Sequence, residues 1–313
     1  MRKMGTVYFV NGFLEAGKTT FIKELIGRES FRISGKTLIL LCEEGDLEYD
    51  DEELAGANAV LEIIEEEEDF NEDTIAALEK KHGPERIIVE FNGMWDRKNL
   101  EFPWYWDDIM EIAVFDASTF KLYSDNMRSL LVEQVRRAEL ILFYKADEVR
   151  EKLASYVRNI KAINMGAAFV FRGAEGDIIL DPDEHLPYDI NADELFLDDE
   201  GFAVLSMDSL QRCEVYDGKK VHFNACVYKM KDGSDLEFIA GRMIMTCCVA
   251  DMSFVGFICG YPKAYELDDR EWVEISGILR IRFDDEMQRN IPVCRVIELK
   301  EIDRPEKEII SLI

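Results

Sequence analysis

Histidine is nearly absent from this sequence. Three occur in 313 residues, His82, His185 and His222, and they are scattered. No Ser/His/Asp or Cys/His arrangement forms around them, so nothing points to a hydrolase of that kind. Basic residues are also few, 37 Lys and Arg against 65 Asp and Glu, which leaves a net charge of −28 at pH 7. Nonspecific nucleic-acid binding needs clustered Lys and Arg, and an acidic chain is repelled by anionic membranes, so neither partner is expected. A long apolar run is missing too. The nearest approach, "MIMTCCVADMSFVGFICGY", follows Arg242 and is interrupted by Asp251, so its halves are too short to cross a bilayer. No secretory leader is expected, because "MRKMGTVYFV" is short and runs directly into a glycine-rich motif. Seven cysteines, an odd number, fit free thiols in a reducing cytoplasm. The acidic excess reads as a solubility feature, with some capacity to collect cations.

What is present begins at residue 10 with "VNGFLEAGKTTFIKEL". Gly12 to Thr19 matches GxxxxGK[ST], the phosphate-binding P-loop. Its glycines let successive N–H groups converge on a phosphate. Lys18 is placed to neutralise the outer phosphates, and the Thr19 hydroxyl to hold Mg²⁺. An apolar run, "TVYFV", leads in, and "KTTFIKELI" has helical spacing, so the bound anion would meet a helix N-terminus.

Strand and helix signals alternate through the first half. "TVYFV" (6–10), "TLILLC" (37–42), "RIIVEF" (86–91), "IAVFDA" (112–117), "LILFYK" (140–145) and "AAFVFR" (167–172) read as buried strands, with helical patterns such as "DTIAALEKKHG" and "SLLVEQVRRAE" between them. This predicts an α/β P-loop domain with a mostly parallel sheet over residues 1–176. The acidic run 62–73 reads as a solvated face. Residues 177–203, with two prolines and many acids, read as a linker. From 204 to 313 short strands and turn signals such as "YDGKK" and "KDGSD" predict a small all-β, Greek-key (OB-like) barrel.

Three stretches narrow the first domain. Glu90 ends an apolar strand with Gly93 three residues on, where a nucleotide hydrolase keeps an acid near Mg²⁺ and a glycine amide facing the terminal phosphate. Glu43, Glu44 and Asp46 follow the second strand. "LILFYKADEV" ends a strand with Lys145-Ala146-Asp147, and an aspartate there can accept from the ring N–H and exocyclic amine of guanine, a pair adenine lacks.

Together these segments resemble the CobW family of the CobW/HypB/UreG GTPases, whose usual order is GFLGAGKTT, NExG, CxCC, ExxG and Q…AD…NKxD. The counterparts here are Gly12–Thr20, Cys42–Gly45, Glu90–Gly93, and Gln134 through Asp147, with Asn164 in a later segment; the resemblance covers about 4–175. It implies GTP hydrolysis coupled to metal delivery or metallocofactor insertion. On that reading Gly12, Glu15, Ala16, Gly17, Lys18, Thr19, Thr20, Gly93, Lys145 and Asp147 bind the nucleotide. Lys18, Thr19 and Glu90 carry catalysis, and Thr19, Glu43 and Glu90 hold Mg²⁺. A metal-receiving protein is an implied partner. Three departures stand out: Glu15 replaces a P-loop glycine, Tyr144 replaces the Asn of NKxD, and no CxCC lies between Gly45 and Glu90, where the acidic run stands instead.

In the second half, "RMIMTCCVADMSF", "EWVEISGIL" and "IPVCRVIELKEIDRP" resemble the C-terminal domain of YcgQ-like proteins, which accompany a predicted membrane permease. The implied partner is that permease, without insertion of this chain. Two locations stay open for a transition metal. Cys247 and Cys248 with Asp251, approached by Cys226, Cys259 and Cys294 on neighbouring strands, would suit Zn²⁺. Glu43, Glu44, Asp46 and the acidic run would suit a harder cation. Buried apolar cysteine is the competing description of the thiols.

Overall fold

The computed structural model describes residues 5–43, 49–97, 100–181, 183–230, 235–245 and 252–312. It divides into two compact units, Met1–Leu153 with Gly166–Ile179, and Ala154–Met165 with Leu180–Ile313.

The first unit is built on eight strands: β1 (Val7–Asn11), β2 (Thr37–Leu41), β3 (Ala59–Ile63), β4 (Arg86–Glu90), β5 (Ile109–Asp116), β6 (Leu140–Tyr144), β7 (Ala168–Gly173) and β8 (Gly176–Ile178). Their order is β3-β2-β4-β1-β5-β6-β7-β8, parallel throughout except for the β7–β8 hairpin. Both faces are covered, which explains the continuous apolar runs. Along β1, β2 and β4, alternate residues serve opposite cores. Phe9, Leu38, Leu40, Ile87 and Val89 face one side, and Val10, Ile39 and Ile88 the other.

Helices α1 (Lys18–Gly27), α2 (Asp51–Gly56), α3 (Glu72–His82), α4 (Ala117–Asn126) and α5 (Arg128–Val135) belong to this unit. The first buries Phe21, Ile22 and Ile26 against the second of those cores. The order reverses around β1, whose neighbours are β4 and β5, and the loop after β1 emerges at the C-terminal edge of the parallel strands. That edge, at the switch point, is where open α/β sheets bind ligands.

The second unit contains α6 (Leu153–Ile163) from Ala154 onward, α7 (Asp199–Gln211) and α8 (Cys213–Tyr216). Its strands are β9 (Glu194–Phe196), β10 (Lys220–Lys229), β11 (Glu237–Met245), β12 (Met252–Gly260), β13 (Trp272–Asp284), β14 (Arg289–Glu301) and β15 (Ile310–Ser311). Pairings run β11-β12-β14-β13-β10, and β10 pairs again with β11. The parallel β12–β14 contact is three residue pairs long, Ile258↔Val293 to Gly260↔Arg295, so the barrel is partly open there.

The expected all-β sheet is present, and two helices, α7 and the short α8, accompany it. Helix α7 begins at Asp199, inside the segment read as linker, and buries Phe202, Ala203 and Leu205 in the core of this unit. Every residue from Gly201 to Ser209 is buried, so no polar face marks its period. The readable signal was at its start, where Asp198 accepts from the Gly201 N–H at 2.7 Å and Asp199 and Glu200 occupy the first turn.

Candidate nucleotide site

The P-loop closes between β1 and α1. Gly12 has φ 149°, and a Cβ there would lie 2.1 Å from the carbonyl oxygen of Val114, so only glycine fits. Gly17 caps α1 with φ 99°, and a Cβ there would lie 2.7 Å from the Tyr144 ring. Glu15, in the usual glycine's place, takes a left-handed φ of 57° and is exposed, which keeps its carboxylate at the surface. Ala16 is buried and its N–H donates to Phe13 at 3.2 Å. Thr20 lies in the first turn of α1, whose N–H groups have no intrahelical acceptor.

Lys18 is 3% exposed. Its ammonium donates to the carbonyls of Gly12 at 2.9 Å and Phe13 at 3.0 Å, and pairs with Glu43. The Thr19 hydroxyl donates to Glu90 Oε1 at 2.6 Å, and the Tyr49 hydroxyl to Glu90 Oε2 at 2.5 Å. Burial pushes the Glu90 carboxyl above its ordinary value, against the opposing pull of those two hydroxyls and of Lys18. Burial likewise raises the Cys42 thiol, helped by Glu90 and Glu43. Thr19, Glu43 and Glu90 are thus brought to one place. Their oxygens are hard donors and fit Mg²⁺ beside a triphosphate. Gly93 sits against the P-loop, since a Cβ on it would meet the Gly12 oxygen at 2.1 Å.

The base end is looser. Lys145 has a left-handed φ of 51° and is exposed, with its ammonium 2.5 Å from Asp116 Oδ2. Burial raises the Asp116 carboxyl, but hydrogen bonds from Lys145 and Ser118 outweigh it and hold it below its usual range. Asp147 is exposed and lies beside Gly173, whose added Cβ would be 3.1 Å from Asp147 Oδ1. Tyr144 does not stand in for the missing amide. Its ring covers Gly17 and its hydroxyl donates to Glu24 at 3.1 Å.

Tyr49 and Asp116 were not among the residues expected at the site. Asp116 carried a signal, an acid ending a strand before "AS", which is how a helix N-cap reads; its side chain accepts from the Ser118 N–H at 2.9 Å. Tyr49 carried none, because only folding brings it to Glu90.

Of the other expected ligands, Glu44, Asp46, Cys247, Cys248 and Asp251 lie outside the described residues. Cys259 and Cys294 are directly paired in register, both almost fully buried, and burial pushes the Cys259 thiol up. Cys226 is buried as well, with its thiol directed to the Val227 carbonyl. These three therefore match the buried apolar description. Among the described residues no group of three or more His, Cys, Asp or Glu is arranged to hold a metal ion.

Residues 6–171 match the family described as "CobW/HypB/UreG, nucleotide-binding domain", and residues 182–310 match "DUF1980 C-terminal domain". The UPF0703 protein YcgQ of Bacillus subtilis (strain 168) is 25% identical over 89 residues, 28% of this chain and 31% of that protein. The chain thus spans about a third of the length of this relative. Zn(II)-bound YjiA GTPase from E. coli is 18% identical with a TM-score of 0.41, covering 84% of this chain and 96% of that one. HypB from Helicobacter pylori, in complex with nickel, is 14% identical with a TM-score of 0.39, over 58% and 82% respectively.

Proposed function

We propose that this chain, which belongs to the CobW/HypB/UreG family of nucleotide-binding domains, is a Mg²⁺-dependent GTPase. Its cycle serves metal homeostasis or metallocofactor delivery in the cytoplasm. The observation that carries the reading is the convergence of Lys18, Thr19 and Glu90 on one buried spot at the mouth of the P-loop.

Lys18 and the first-turn amides of α1 neutralise and orient the phosphates. Thr19 and Glu90 present oxygens to the metal, and Glu43 adds a third from the end of β2. Mg²⁺, when bound, supplies charge neutralisation of the phosphoryl oxygens. Glu90, its carboxylate fixed by Tyr49, would orient a metal-bound or attacking water. Asp147 reads the base, and the stem of Lys145 packs along it. A transition metal such as Zn²⁺ would be held by Cys247, Cys248 and Asp251.

A second reading is supported by the match of residues 182–310 to the DUF1980 C-terminal domain and by the YcgQ relative. On it the chain binds nucleotide without turnover and the second unit recruits a membrane permease. Among the described residues no helix is long and apolar enough to cross a membrane. Steady-state release of phosphate from GTP and from ATP, with Lys18→Ala as the control, separates the readings. Turnover of GTP above ATP, lost in the variant, supports the GTPase. Tight GTP binding with no release supports the recruiting module.

A further inference from the structure

We propose that Gln134 and Asn92 are positioning residues that hold the Gly93 N–H ready for the terminal phosphate. They thereby make the site distinguish a triphosphate from a diphosphate. This rests on the nucleotide-binding reading of the P-loop and on the terminal-phosphate contact expected of Gly93, and adds the two side chains that hold that glycine.

Gly93 follows β4 and is buried. It is pinned between two neighbours: an added Cβ would lie 2.1 Å from the Gly12 oxygen and 2.8 Å from Gln134 Nε2. The peptides on either side of its Cα are both tied. In the peptide before it, the Asn92 carbonyl accepts from the Trp95 N–H at 3.1 Å. In the peptide after it, the Gly93 carbonyl accepts from Gln134 Nε2 at 3.0 Å, and the Met94 N–H donates to Asn92 Oδ1 at 2.9 Å. Three of the four backbone groups are satisfied. The fourth, the Gly93 N–H, has no hydrogen-bond partner among the described residues. A buried, unpaired backbone N–H is rare and costly. This one lies against the P-loop, and a phosphate oxygen is the acceptor such a place offers.

The side chain of Gln134 points the same way. It is 1% exposed on α5, its Nε2 is committed to Gly93, and its Oε1 has no donor. A residue there only to fill space would be apolar, because half an unused amide costs free energy. Asn11, which immediately precedes the P-loop, is fully buried and reaches the Gln134 carbonyl at 3.5 Å, so the helix end and the loop meet at this point.

The test is calorimetry of the full chain in Mg²⁺ with GDP and with the non-hydrolysable triphosphate GppNHp. Gln134→Met keeps the shape and removes the donor. The expected result is a loss of about tenfold in GppNHp affinity with GDP affinity unchanged within twofold. Asn92→Ala, on a part-exposed turn, is expected to give the same pattern with a smaller loss, and it carries the test if Gln134→Met does not fold. An equal loss for both nucleotides means a merely structural role and overturns the proposal. So does no loss for either, or an unmutated chain that binds both equally. If the unmutated chain binds neither nucleotide, the P-loop reading fails and this inference fails with it.

Discussion

At the phosphate end of the candidate site Lys18 and Glu90 are each 3% exposed and every charge has a fixed partner, whereas at the base end the Lys145 side chain is 57% exposed and Asp147 faces solvent. A group held by backbone carbonyls in a buried place acts in a low dielectric and pays little to reorganise when a ligand arrives. A group in solvent is screened, and its contacts form only when the ligand brings the other half. On the proposed reading, affinity is therefore expected to reside at the phosphates, with choice of base the weaker property.

The strongest way to break that contrast is at Lys18. Replacing it with alanine is expected to lower Mg²⁺-nucleotide affinity by about a hundredfold, the value of a charged hydrogen-bonding group. The circular dichroism spectrum should not change, because the sheet does not use that ammonium. Calorimetry showing unchanged affinity would remove the P-loop assignment.

Glu90 gives the next largest effect, read as a pH dependence. Its carboxyl is raised above 4.5 by burial, so above that pH it stays protonated for an interval in the ligand-free protein. A metal ion must displace that proton. Mg²⁺ affinity should accordingly climb with rising pH up to the raised value, by up to about tenfold per pH unit, and then level off. In Glu90→Gln the affinity is lower and this part of the climb is absent. An identical slope in both proteins would mean that another group titrates.

The base end should respond least. Asp147→Asn is expected to reduce the preference for GTP over ATP by about fivefold, near the lower end of the roughly 1–3 kcal/mol for an unmatched polar group because the site is exposed. Equal affinity of the unmutated chain for the two nucleotides would show that this end reads no base at all.

The same contrast explains what was legible in the sequence. The P-loop and the strands that carry it were readable because their constraints are local. Gly12 needs its φ, Lys18 and Thr19 stand at fixed steps from it, and parallel strands buried on both faces must be apolar. Of the six strands expected in the first half, all appear, with ends shifted by up to three residues. The third strand, Ala59–Ile63, was hidden by the acidic run that follows it, and by its place at the sheet edge with half-exposed side chains. Tyr49 on Glu90 and Gln134 on Gly93 were not readable as contacts, because each joins segments 41 residues apart in sequence. The helix beginning at Asp199 was missed for the opposite reason, having no exposed side to contrast with its buried one.

The contact between Lys18 and Glu43 bears on how fast the site could empty. A buried ammonium left without a counter-charge is a state of high free energy, and a ligand whose departure creates such a state leaves slowly. Here the chain carries its own replacement anion at the end of β2. An incoming phosphate must displace that carboxylate, which lowers the apparent affinity. A departing one is succeeded by it, which lowers the barrier to release. On the proposed reading tightness is exchanged for speed of release, and the side chain that sets the exchange is Glu43.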